Sequence, residues 1–151
     1  MKNRNYRKLF ATMAISLLIM YFIMFLNMDR AAHYHTSLTR AYMAILMVAP
    51  MAILMIMMMG KMYASKKKNG LIIIAAIIVF AAALTGLRTQ TPVNDIQYMK
   101  AMIPHHSSAI MTSKHAHIQD PEVRKLADSI IASQEREIRE METMIRRLKG
   151  R

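Results

Sequence analysis

Three long apolar runs without a single charge occupy most of the first 88 residues: Leu9–Met28, Ala41–Met59 and Leu71–Leu87. At 1.5 Å per residue they span roughly 25–30 Å, close to the hydrocarbon thickness of a bilayer, and each is predicted to be a membrane-spanning helix. The third is the shortest, but Lys66, Lys67, Lys68 and Arg88 flank it and can reach the interfaces. Pro50 falls in mid-span, where membrane helices tolerate it with a kink. The first run follows Lys2, Arg4, Arg7 and Lys8, as a signal peptide would. It is longer than the usual apolar core of about 7–15 residues and lacks a small-residue cleavage site, so it reads as an anchor.

Beyond residue 88 the pattern changes from unbroken apolarity to helical periodicity. Ile96, Met99, Ile103, His106, Ile110, Ser113 and His117 recur three and four residues apart, a stripe along one helix. Asn94 with Gln97 resembles a capping box at its start. Asp120-Pro121-Glu122 opens a second helix with an N-cap, a proline in the first turn and an acid against the dipole. That helix carries an apolar face from Val123 to Leu148 and ends at Gly150. No segment shows strand alternation. The expected architecture is all-α: a membrane domain over 1–88 with three transmembrane helices (about 9–28, 41–59, 71–87), then an antiparallel two-helix hairpin over 89–151. Such a hairpin has little core of its own, so it is expected to pack against its membrane helices or to pair with a second copy as a homodimeric four-helix bundle.

Charge orients the chain. The acid-free N-terminal segment carries four basic residues, and so does the loop between the second and third runs; the first loop has Arg30 and Arg40 against Asp29. The positive-inside rule places the N-terminus in the cytoplasm and the first loop and the tail outside. Eight of the twelve net positive charges sit in the two inner segments, so the basicity is topological and nucleic acid is not an expected partner. Cysteine is absent, which removes disulfides and thiolate metal sites from consideration.

All six histidines then fall on the outer side: His33, His35, His105, His106, His115 and His117. Folding the hairpin about residues 118–120 sets Met102 opposite Glu137, Met99 opposite Met141, and His106 opposite Ser133 or Gln134. Thioethers with imidazole suit Cu(I) or Ag(I), and imidazole with carboxylate suits Cu(II). Pro104 frees the carbonyl of Lys100 and bends the helix beside the histidines. The same residues also read as flexible methionine filler around a hydrogen-bonded bundle histidine.

The string Tyr98-Met99-Lys100-Ala101-Met102-Ile103-Pro104-His105-His106-Ser107-Ser108-Ala109-Ile110-Met111 is followed by Asp120-Pro121-Glu122-Val123, Leu126-Ala127, Gln134 and Glu137-Ile138 to Met141. Over about residues 91–149 this resembles the bacterial domain of unknown function 305 family, and the three spans look like a membrane-anchored subtype. The resemblance implies a ferritin-like helical half-bundle with a paired-histidine motif, and copper binding and tolerance outside the cytoplasm. At the matching positions it implies a metal set of Met99, Met102, His105, His106, Met111, Gln134, Glu137 and Met141. His115 and His117 lie where the family pattern requires no histidine. With His33 and His35 they form two secondary candidate pairs.

Catalysis is not expected. No Glu-x-x-His occurs and the first hairpin helix holds no glutamate, which argues against a di-iron centre. Ser107 and Ser108 beside the histidines lack an acid partner and an oxyanion hole. Met43, Met47, Met51, Met55 and Met59 recur every fourth residue, but each step drifts about 40° on a helix, so packing is favoured over a metal ladder. The expectation is a non-enzymatic copper-binding protein, chaperoning or sequestering the ion (silver as a possible surrogate), in a bacterial inner membrane with its tail in the periplasm. A copper transporter or oxidase is the candidate partner beside the lipid bilayer. The competing expectations are a structural oligomerisation module and an accessory subunit of a membrane transporter.

Overall fold

A computed structural model describes residues 2–150. Among these, every regular element is helical: α1 Lys2–Ile23, α2 Leu38–Met58, α3 Lys66–Thr89, α4 Asp95–His115 and α5 Pro121–Lys149, with 3-10 turns at Ala31–His33 and Gly60–Met62. The helices form two compact units. One comprises the residues up to Ile23 with Thr39–Pro92; the other joins Met24–Leu38 to the chain from Val93 onward. The second unit therefore draws in the whole first loop, where a cut at 88/89 would have separated it.

In the first unit, α1, α2 and α3 are each long and apolar enough to cross a membrane. Their outward faces are apolar (Leu18 and Phe22 on α1, Ile74 and Ile78 on α3 are all more than half exposed), which suits lipid rather than water. One end is tied by polar contacts. Tyr6 packs with Leu9, Ile56 and Tyr63, and its hydroxyl donates to Asn69 Oδ1 at 2.7 Å. At Gly86 of α3 the Tyr42 ring of α2 packs against the backbone: an added Cβ would sit 2.8 Å from the ring, which would have to shift. α2 runs through Pro50 without interruption. The four-residue methionine series divides as its drift requires: Met43 and Met47 face outward, while Met55 packs on the Tyr6 cluster.

The second unit is built on α4 and α5. Asn94 Oδ1 accepts from Gln97 N–H at 2.9 Å, and Asp120 Oδ1 accepts from the N–H groups of Glu122 and Val123, so both helices start where the sequence places them. The reciprocal half of the Asn94 box is replaced: Gln97 Oε1 instead accepts from Leu38 N–H at 3.2 Å. Met99, Ile103, Ile110, Ile138 and Ile145 form the core, with Ile131, Met141 and Leu148 against it. α4 continues through Pro104, which is buried.

A second layer covers one side of the hairpin. Ser107 is fully buried and faces residues 24–38. Its Oγ accepts from Asp29 N–H at 2.9 Å and lies 2.8 Å from His33 Nδ1. Asn27 Nδ2 donates to Ser108 Oγ at 2.7 Å, and Lys114 Nζ lies 3.2 Å from Asp29 and 3.6 Å from Glu135. The first loop thus closes one groove of the hairpin.

One pairing differs from a fold about residues 118–120: His106 meets Glu137 rather than Ser133 or Gln134, about one turn on, while Met102 lines one cavity with both Glu137 and Met141, and Met141 also packs on the core that holds Met99. Side chains lean toward the N-terminus of their own helix. In an antiparallel pair the two leans are opposed, so the tips that meet belong to residues displaced C-terminally on both helices. Counting from backbone positions alone omits this lean.

Candidate metal site

The groove of the hairpin opposite the first loop holds a cavity of about 190 Å³. Tyr98, Met102 and His106 line it from α4, and Glu137, Glu140, Met141 and Met144 from α5. Four of the eight residues implied by the family motif, Met102, His106, Glu137 and Met141, therefore come together. Tyr98, Glu140 and Met144 complete the wall. Their signal was in the sequence: Tyr98 lies four residues before Met102, Glu140 three after Glu137 and Met144 three after Met141.

His106 is the central group. Its side chain is 10% exposed, and Nδ1 is buried without a hydrogen-bond partner among the described residues. The nearest carboxylate oxygen, Glu137 Oε2, lies at 3.3 Å, close enough for attraction but not aligned as a hydrogen bond. Glu137 is itself held by Ser133, whose hydroxyl donates to Oε1 at 2.7 Å. Burial pushes the His106 pKa below its ordinary value; Glu137 opposes this and His105 adds to it. Burial outweighs the carboxylate, so the shift favours the neutral ring. A neutral ring with an unpaired nitrogen is the form that coordinates a metal.

The remaining candidates lie elsewhere. Met99 belongs to the core between the helices. His105 is exposed on the adjoining face, its ring centroid 6.0 Å from that of His106. Met111 is half-buried outside the cavity, and its carbonyl accepts from His115 Nδ1 at 2.9 Å if that nitrogen carries the proton. Gln134 is half-buried and does not line the cavity. His115 and His117 are exposed at the hairpin tip, with His117 Nε2 3.1 Å from the Gln119 amide nitrogen.

His33 is committed to Ser107 and borders a different cavity of about 300 Å³ with Asp29, Glu135 and Glu142. His35 is half-buried, and burial lowers its pKa against the opposing charge of Glu142. Among the described residues no three His, Asp or Glu side chains are grouped to hold a metal ion. A metal in the α4–α5 cavity would depend on thioethers: Met102, Met141 and Met144 supply sulfur, His106 nitrogen, and Glu137 and Glu140 oxygen. Such a set favours a soft monovalent ion over zinc or a hard cation.

A family model described as "Domain of unknown function (DUF305)" matches residues 55–145, from the end of α2 into the last turns of α5. "Uncharacterized protein L153" of Acanthamoeba polyphaga mimivirus is 39% identical over 106 residues, covering 69% of this chain and 68% of its own. No solved structure matches.

Proposed function

The chain belongs to the DUF305 family, and on that footing we propose that it is a membrane-anchored, non-catalytic protein that binds Cu(I) in the open groove between α4 and α5, chaperoning or sequestering the ion. One observation carries this reading: Met102, His106 and Met141 converge on a single cavity in which the imidazole is buried and, among the described residues, has no hydrogen-bond partner at Nδ1. A core histidine kept only for stability would have its buried nitrogen satisfied. Soft sulfur donors with one imidazole suit Cu(I), with Ag(I) as its surrogate. Glu137, held by Ser133, supplies negative charge beside the ring.

Competition of the full-length protein in detergent against a chromogenic Cu(I) chelator tests the proposal. One ion per chain is expected, held more tightly than micromolar. Met102→Leu keeps volume and apolarity while removing the sulfur, so it should weaken Cu(I) binding at least fivefold with little change in helix content. Binding no tighter than micromolar in the parent protein rejects the reading.

The same proposal places α4 and α5 on the outer side of the membrane. It rests on the four basic residues in each of two acid-free segments, Lys2–Lys8 and Lys61–Lys68. A reporter fused after Arg151 should behave as extracytoplasmic and one inserted at Lys66–Lys68 as cytoplasmic. The inverse pattern would put the thioethers on the reducing side and remove the envelope role.

A further inference from the structure

A two-helix hairpin has two grooves, and here only one of them is filled by the chain's own residues 24–38. The other keeps its apolar side chains in the open: Tyr98 is 54% exposed, Leu126 60% and Met144 43%. We propose that a second copy of this chain covers the open groove, making a two-fold four-helix bundle in which the candidate metal sites of both copies face the common axis.

Helical spacing supports that occupant. On α5, Val123, Leu126, Ile130, Glu137, Glu140 and Met144 follow one another at three, four, seven, three and four residues, the spacing of a coiled-coil seam. On α4, Tyr98, Met102, His105 and Ala109 do the same at four, three and four. At about 100° per residue, the exposed stripe of each helix lies roughly 90–100° round from the stripe buried in the hairpin. A square bundle needs this angle, because each helix there has two neighbours at right angles.

A two-fold axis parallel to the helices keeps every residue at the same height in both copies and makes all four neighbouring pairs antiparallel. Tyr98 then meets Met144 of the partner subunit. His105, which the single hairpin leaves exposed, turns toward the carboxylates of the partner's Glu137 and Glu140. The face therefore complements itself in both apolar contact and hydrogen-bonding groups, a ring N–H against carboxylate oxygens, as a two-fold interface must. Two helices about 10 Å wide over about 30 Å of length present on the order of 600 Å² per copy. The total, about 1,200 Å², reaches the lower edge of stable interfaces.

The interface does not depend on copper, so its test is run in chelator. The native chain has no cysteine, and engineered thiols therefore report without background. Full-length Tyr98→Cys and Met144→Cys chains carrying different tags are co-expressed, reconstituted in nanodiscs with excess EDTA and oxidised with diamide. The expected product is a mixed-tag disulfide dimer, with little from Tyr98→Cys paired with Lys125→Cys, on a face pointing away. Light scattering should give two copies per particle. Tyr98→Lys combined with Leu126→Lys should reduce this to one with unchanged helical circular dichroism, since both side chains are exposed in the single hairpin. One copy per particle in the parent protein, equal cross-linking of the two cysteine pairs, or a dimer that survives both lysines would each overturn the proposal.

Discussion

His106→Ala should lower the Cu(I) affinity of the full-length protein at least tenfold, about 1.4 kcal/mol, while costing the fold little. The two readouts separate because of how the ring is buried. Its Nδ1 makes no hydrogen bond, so truncation removes a desolvated polar group along with the packing it loses. A purely structural histidine would give the opposite pair of results, with lower stability and unchanged binding. The parent protein should also lose Cu(I) as the pH falls, because protons compete for the ring. Burial lowers the His106 pKa from 6.5, so the neutral form is favoured in the folded chain. That contribution to stability is fully present above 6.5 and is lost as the pH falls through the window between 6.5 and the lowered value. The affinity decline should likewise begin below the ordinary histidine range, and in His106→Ala it should be much shallower. Affinity within a factor of two of the parent, about 0.4 kcal/mol, would show that the ring is not a ligand.

Ile103→Ala should destabilise the α4–α5 unit by about 2–5 kcal/mol, the range for removing a buried branched side chain and leaving a cavity. Ile103 is fully buried in a core that, among the described residues, it shares with Met99, Ile110, Ile138 and Ile145. Small units are stable by only a few kcal/mol, so this loss is a large share of the total. Amide exchange of the full-length protein should show protection in α4 and α5 falling about thirtyfold or more, with α1 to α3 little changed. Lys125→Ala, on an exposed turn of α5, should stay within about 0.5 kcal/mol. A loss below 1 kcal/mol at Ile103 would mean that the two helices do not pack through this face.

The helix starts were legible because they depend on groups within one turn: Asn94 and Asp120 cap the N–H groups two or three residues on, whatever else the chain does. The three apolar helices were legible for a similar reason, since length and absence of charge are properties of each run alone. Their ends were less so, and α1 stops at Ile23 rather than Met28. Residues 24–28 are as apolar as those before them, and only their contacts beyond α1 mark the difference, such as the Asn27 amide on Ser108 and the buried Phe25 against Tyr34. The roles of Ser107 and His33 were hidden as well, because a 74-residue separation carries no periodic signal.

By itself, then, the sequence determined the elements and the inventory of donors: five helices, their polarity, and sulfur, imidazole and carboxylate on the last two. Tertiary structure decided which donors meet. The opposed lean of side chains in an antiparallel pair brought His106 to Glu137, one turn past Ser133, and set Met102 in one cavity with Glu137 and Met141, whose wall Tyr98, Glu140 and Met144 complete, while Met99 lies in the core. Local patterns are set by interactions within a few residues, whereas register is set by how two surfaces interlock, which depends on every side chain along both.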